Sequence, residues 1–256
     1  MYKSVCNIII IIVLIIIYLV SIASFKYYQL LKIFIKMTAN KILEIELELK
    51  KNGLTNLGIA VFKKKFLQKY EVALLIGPNE PFFWDNFKKS KEFNSSRKNP
   101  LNNWSKRIID EISKKFSGKA FYPFQKNPVI PFYDWALISD KFWESPVKLL
   151  VHENRGLMVS FRGAIAFKNK NFIKNIVKNT SPCVSCTAPC KSTCPVSAFR
   201  NNKYDVETCI NFIRSTKENI CINGCLVRRS CPIGQSLRKI EQSKFHMKYF
   251  INEDKL

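Results

Sequence analysis

The sequence predicts an α+β or α/β domain followed by a small cysteine-rich domain. Apolar runs of strand length alternate with helical periodicity from residue 37 to about residue 178, a stretch without cysteine. Eight of the nine cysteines then lie between residues 183 and 231. The chain has 256 residues, of which 47% are apolar, and this is enough for one large domain or two modest ones with packed cores.

Two buried strands and one amphipathic helix are the clearest elements of the first domain. The runs LGIAVF (57–62) and VALLIG (72–77) have the length and apolar content of buried strands. Residues 99–119 place apolar side chains at three- to four-residue steps, which predicts a helix. Residues 147–167 predict two strands around the turn ENRG, where Gly156 supplies a positive φ.

The N-terminal segment has two interpretations. Residues 5–24 form an uncharged apolar run that is long enough to cross a bilayer as a helix. The lysines after this run would keep the rest of the chain on the cytoplasmic side of the inner membrane. Alternatively, the segment is translated upstream sequence, because the stretch that begins at Met37 has the N-cap and apolar stripe typical of the start of a soluble domain.

These signals set the expected domain boundaries. We expect an anchor or upstream extension over residues 1–36, the first domain over 37–178, the cysteine-rich domain over 179–240 and a basic C-terminal tail over 241–256. In both interpretations of the N-terminus, the cysteine-rich domain is expected in the cytoplasm.

The charge and the remaining motifs narrow the function classes. The chain carries 42 basic and 19 acidic residues, a net charge of +23, but most basic residues are lysines in spread-out runs. A dedicated nucleic-acid surface would cluster charge and favour arginine, so tRNA is a secondary partner candidate. The sequence has no glycine-rich phosphate loop, no nucleophile elbow and no metal-spaced histidine pair. No catalytic residue is therefore predicted, and His152 is expected to be a structural histidine.

The cysteines form two motifs that each end in Cys-Pro. The first is C-x2-C-x3-C-x3-C-P, and the second is a single cysteine followed by C-x3-C-x5-C-P. Their members are Cys183, Cys186, Cys190 and Cys194, then Cys209, Cys221, Cys225 and Cys231. The bacterial two-cluster pattern is C-x2-C-x2-C-x3-C-P repeated, so the first motif matches with one extra residue. The spacing favours two [4Fe-4S] clusters over two four-thiolate zinc sites or a disulfide framework.

Basic side chains lie inside both motifs. Lys191 follows the third cysteine, and Arg228 and Arg229 lie between the last two. A cluster with four thiolates is anionic and gains a further negative charge on reduction, so nearby cations should raise its reduction potential.

Several stretches carry a family likeness. They are NPLNNWSKRIIDEI, FYPF, PFYDWAL, SPVKLLVHENRGLMVSFRGAIAF and PCVSCTAPCKSTCPVSAF, followed by YDVETC and CINGCLVRRSCPIG. Together they resemble a family of small bacterial proteins named ferredoxin, over about residues 37–235. The cysteine part is also similar to the C-terminal cluster domain of epoxyqueuosine reductase, a cobalamin and iron–sulfur enzyme of tRNA modification. The segment before the first motif lacks that enzyme's Gly-rich approach and acidic catalytic segment, so no catalytic acid or cobalamin contact is assigned.

The resemblance implies a bacterial-type 2[4Fe-4S] ferredoxin-like domain in which the motifs exchange their last cysteines. Set one is then Cys183, Cys186, Cys190 and Cys231, and set two is Cys194, Cys209, Cys221 and Cys225. The implied function is electron transfer to a redox partner protein, as a carrier rather than a stand-alone enzyme. Two alternatives remain: a reductase whose first domain binds a corrinoid or flavin, and a zinc-stabilised binding module.

Overall fold

The computed structural model describes most of the chain beyond residue 40. The described residues are 20–22, 24, 27, 41–95, 98–173, 176–215, 219–237 and 239–251. Most of the apolar run 5–24 and the predicted start at Met37 therefore lie outside them. The chain divides into a unit of 1–44 with 171–174 and a larger unit of 45–170 with 175–256, and apart from the first residues of the first helix the larger unit holds the features described below. Among the described helices, none is long and apolar enough to cross a membrane.

Four helices and six strands are described before the first cysteine motif. They are α1 (41–51), β1 (Leu54–Phe66), β2 (Tyr70–Pro78), α2 (Phe83–Lys88), α3 (Pro100–Lys115), β3 (Lys119–Phe121), α4 (Phe132–Ile138), β4 (Phe142–Glu144), β5 (Leu150–His152) and β6 (Gly163–Phe167). The predicted strands at 57–62 and 72–77 lie inside β1 and β2, and the predicted helix at 99–119 contains α3.

The elements from the first motif onward are shorter. They are β7 (Phe199–Arg200), β8 (Lys203–Tyr204), α5 (Val206–Ser215), α6 (Leu226–Arg229) and α7 (Ile240–Ile251), with two 3-10 turns at Pro189–Lys191 and Ile220–Asn223. Part of the segment expected as a basic tail is therefore the helix α7.

The fold is mixed α+β, built on a four-stranded antiparallel sheet with the strand order β1-β2-β6-β3. Of the two predicted classes, α+β is the one observed, because β2 and β6 pair antiparallel with every neighbour. The first two strands are joined by the short turn 67–69, which returns the chain at once and needs no crossover helix.

The predicted pair of strands around Gly156 exists, but the two strands do not pair with each other. β5 pairs with β4, whereas β6 lies between β2 and β3 in the main sheet. Gly156 has the predicted positive φ, at 53°. Residues 157–160, between the two strands, line the cavities beside the cysteine motifs.

Apolar burial holds this unit together. The β2 residues Val72 to Ile76 are fully buried, and Ile108, Ile109 and Ile112 of α3 are nearly so. Burial of one such aliphatic side chain contributes about 1.5–3 kcal/mol. Trp135 of α4 packs edge-on against Phe66 and Phe121, with ring centroids 4.8 and 6.0 Å apart.

Helix α7 connects the end of the chain to the region around α2. Phe245 packs against Trp84 at a centroid distance of 5.1 Å. The buried Gln242 amide donates to Glu80 at 2.7 Å. Lys239 forms an ion pair with Asp85 at 2.6 Å, although exposed pairs of this kind contribute little to stability. These contacts hold α7 in its position beside the second cysteine motif.

His152 is the structural histidine that the sequence predicts. It is 4% exposed, its Nε2 lies 2.8 Å from the carbonyl oxygen of Leu57, and its Nδ1 accepts the backbone N–H of Asn154 at 3.1 Å. Because Nδ1 accepts, the ring proton is on Nε2 and is donated to Leu57. The ring therefore ties β5 to β1 as a neutral group, and burial lowers the pKa of His152 to about 4.

Protonation of His152 in the unfolded chain should make the protein less stable as the pH falls. The unfolded chain takes up the His152 proton near pH 6.5, while the folded chain resists it down to about pH 4, so stability is lost as pH falls through this window. We expect a loss of about 2 kcal/mol in unfolding free energy between pH 7 and pH 5 from this residue. Urea unfolding at both pH values should give a shallower slope of unfolding free energy against pH for His152→Gln than for wild type. Equal slopes for wild type and His152→Gln would contradict the assignment.

Candidate metal centre

The cysteine motifs pack directly on the β4–β5 hairpin. Cys190 and Cys231 are buried in a hydrophobic core with the hairpin residues Val147 and Val151. Three more cysteines, Cys183, Cys194 and Cys225, pack against the same core. All eight cysteines of the motifs are free thiols in the structure, and none forms a disulfide.

The structure brings the thiols of Cys183, Cys186, Cys190 and Cys231 together. They line one small cavity of about 20 Å³, closed by Pro146, Pro189 and Pro232 among others. The backbone N–H of Cys186 donates to the Cys183 carbonyl oxygen at 3.3 Å, which folds the start of the first motif into a turn. Cys231 reaches this cavity from the second motif and lies beside the first-motif thiols there.

The other four thiols meet at a larger cavity. Cys194, Cys209, Cys221 and Cys225 line a space of about 280 Å³. Cys209 lies on α5, Cys221 in the 3-10 turn Ile220–Asn223, and Cys225 directly before α6. Cys194 is the only member from the first motif. Cys194 and Cys231 therefore each lie beside cysteines of the other motif, and the ligand sets themselves stay a prediction.

Backbone amides already point at some of these sulfurs. The N–H of Ala188 donates to the Cys186 Sγ at 3.4 Å, and the N–H of Ala198 donates to the Cys194 Sγ at 3.2 Å. Such N–H···S bonds stabilise a thiolate and orient it as a ligand. The turn after Cys194 supplies the second of these donors.

Burial raises the pKa of the Cys183, Cys190, Cys209 and Cys221 thiols above their ordinary value. Neighbouring thiolates add to the rise in every case, while the Tyr204 hydroxyl, which hydrogen-bonds to Cys209, lowers the pKa of that thiol. Packed thiols without a cation between them are therefore held neutral. A metal that binds them as thiolates has to displace their protons.

The two cavities differ in charge. Arg228 and Arg229 line the cavity of set two, whereas among the residues that the structure describes no ionisable side chain other than the cysteines lines that of set one. Arg228 Nη1 donates to the carbonyl oxygen of Leu157 at 2.7 Å, and Arg229 Nη2 donates to that of Asn223. Lys191, also predicted to act on the sulfurs, is exposed and lines neither cavity.

Several wall residues of the set-two cavity carry no sequence signal. Met158 and Ser160 come from the segment before β6, and Ser243, His246 and Met247 come from α7. Their separation from the motifs along the chain hides them, because only tertiary packing brings them to the thiols.

The two groups of four cysteines have the ligand number that two polynuclear centres would need. Among the described residues, no three His, Cys, Asp or Glu side chains converge where one metal ion could be held. In a four-iron cluster each of the four thiolates binds a different iron, so the sulfurs have to surround a volume rather than meet at a point. Two groups of four cysteines fit this requirement in number and chemistry, and set two also has the space. Set one has to open its loop 183–190 to admit such a group.

Comparison with known proteins gives no relative. No protein-family model, curated protein or solved structure matches the chain.

Proposed function

We propose that the protein is an electron-transfer protein that holds two [4Fe-4S] clusters, one at set one and one at set two. The observation that carries the proposal is the gathering of eight free thiols into two groups of four, with Cys194 and Cys231 exchanged between the motifs. Cysteine thiolates in fours are the usual ligands of such clusters, and the exchange is typical of two-cluster ferredoxins. When bound, the clusters would supply reversible one-electron oxidation and reduction.

The two thiol sets differ in the charge of the side chains that surround them. The apolar wall of set one, with Val151, Leu157 and three prolines, excludes water and offers no countercharge. Arg228 and Arg229 at set two offset a negative charge there. A cationic wall favours the reduced state of an anionic centre, so set two should have the higher reduction potential.

A reducing compartment fits the same thiols. We place the metal-binding part of the chain in the cytoplasm, where thiols are kept reduced. The free state of all eight motif cysteines is consistent with that compartment.

Anaerobic metal analysis tests the proposal. The full-length chain, purified in detergent and reconstituted with iron and sulfide, should hold about eight iron atoms and give an EPR signal on reduction with dithionite. The control Cys6→Ser should hold the same iron, because Cys6 lies outside both motifs.

Two results would overturn the proposal. Zinc without iron would identify a zinc-stabilised binding module. A flavin or corrinoid absorption band in addition to the iron–sulfur band would favour the reductase alternative over a simple carrier.

A further inference from the structure

The hairpin β7–β8 has two chemically different faces. Phe199 pairs with Tyr204 and Arg200 pairs with Lys203 across the two strands. Successive residues of a strand point to opposite faces, so the aromatic pair and the basic pair lie on opposite sides. Asn201 and Asn202 form the turn, with φ of 49° and 59°, which is the conformation of a tight hairpin loop.

The aromatic face of the hairpin packs beside the thiols of set two. The Phe199 and Tyr204 rings stack at a centroid distance of 4.5 Å with 6° between their planes. Both rings line the cavity of set two, and Phe199 also packs against the core that contains Cys190 and Cys231. The hairpin is thus a thin wall between set two and the surface.

The basic face is exposed and carries two like charges. Arg200 and Lys203 are both exposed, and like charges directly opposite each other destabilise a strand pair. Arg200 donates to the Ser197 carbonyl oxygen at 2.9 Å, and the carboxylate near it, Asp205, accepts two hydrogen bonds from Thr208 at the start of α5. The sequence next to the hairpin is also basic, because residues 191–204 contain three Lys or Arg and no Asp or Glu.

We infer that the outer face of hairpin β7–β8 is the docking site for an acidic electron-transfer protein. The inference rests on the proposed function. An acidic partner would relieve the repulsion between Arg200 and Lys203. It would also bring its own redox group to the far side of the wall formed by Phe199 and Tyr204.

The neighbouring surface favours a protein over a nucleic acid. Pro195 and Val206 flank the hairpin in sequence and are exposed, Val206 by 42%. Apolar side chains beside an arginine are typical of protein interfaces. A phosphate backbone would instead call for a longer row of arginine and lysine contacts.

Charge reversal on the hairpin tests the docking site. Iron-loaded full-length protein is mixed in a stopped-flow spectrometer with reduced flavodoxin, an acidic one-electron donor, at low and high salt. For Arg200→Glu with Lys203→Glu we expect electron uptake to slow about tenfold or more at low salt, with the difference shrinking as salt rises. The matched control, Lys63→Glu with Lys64→Glu, changes the net charge equally on exposed residues of β1 and should stay within about twofold of wild type.

A second variant and a second readout separate the outcomes. Arg200→Gln with Lys203→Gln removes the charge without reversing it and should give a smaller loss. Iron content and the dithionite-reduced EPR signal should be the same in wild type and in all variants, and a signal missing from wild type would count against the proposed function itself. With the signal intact, equal slowing in hairpin and control variants would overturn the docking site. A selective loss of tRNA binding by the hairpin variant, with its flavodoxin rate unchanged, would also overturn it and would identify a nucleic-acid surface.

Discussion

Replacement of Cys231 with Ala should abolish the metal site at set one, although Cys231 belongs to the second motif. Its sulfur lines the same cavity as those of Cys183, Cys186 and Cys190. The thiols nearest to it in sequence, Cys225 and Cys221, line the other cavity. The full-length variant should therefore hold about four iron atoms instead of about eight.

The mirror variant makes the test specific. Cys194→Ala, in the first motif, should lose the iron of set two and leave set one loaded. Cys209→Ala should have the same effect as Cys194→Ala, since both thiols line the 280 Å³ cavity. Cys6→Ala is the control and should keep all of the iron.

Iron counts and EPR distinguish this arrangement from a chain-order arrangement. Arg228 and Arg229 give set two a different charge environment, so the EPR signal that survives in Cys231→Ala should differ in reduction potential from that in Cys194→Ala. If Cys231→Ala and Cys225→Ala lose the same signal while Cys194→Ala loses the other, the exchange between the motifs is wrong.

Local patterns predicted the elements whose burial is decided within one segment. β1, β2 and α3 follow from apolar runs and helical spacing, because each buries a face defined by its own residues. The pairing of β6 was not predictable in this way. Its five residues are all buried, and the strand lies between β2 and β3. Because the strand is apolar throughout, no alternation of polar and apolar residues indicates which strands it pairs with.

The same limit applies to the candidate site. Spacing in the sequence predicts the eight thiols as candidate ligands, since ligand motifs repeat within a few turns of chain, and this assignment stays a prediction. The residues that form the cavity walls around these thiols could not be predicted in this way. Helix α7 lies in a segment that its lysines made look like a tail, and Phe245, against Trp84, holds it in place. A cavity wall assembled from α7 and residues 157–160 depends on contacts between distant segments, which no local pattern encodes.

Replacement of Gly156 with Ala should disrupt set one without altering any ligand. Gly156 has φ of 53°, in the left-handed region, and a Cβ there would lie 2.3 Å from the Ile233 carbonyl oxygen and 2.5 Å from the Cys231 Sγ. The residue cannot retreat, because its N–H donates to the His152 carbonyl oxygen at 3.0 Å and its own carbonyl oxygen accepts the His152 N–H at 2.9 Å. The new methyl group should therefore push the Cys231 loop away from Cys183 and Cys190.

The expected result is selective. Gly156→Ala should lose the iron of set one and keep that of set two, and the backbone strain alone should cost about 1–3 kcal/mol of unfolding free energy. Gly58→Ala in β1 is the matched control, because Gly58 is outside the left-handed region and its added Cβ would approach nothing closer than 3.1 Å. Iron analysis, EPR and urea unfolding of both variants measure the effect. Full iron loading and wild-type stability in Gly156→Ala would mean that Cys231 does not lie against this turn, and the position of set one would have to be abandoned.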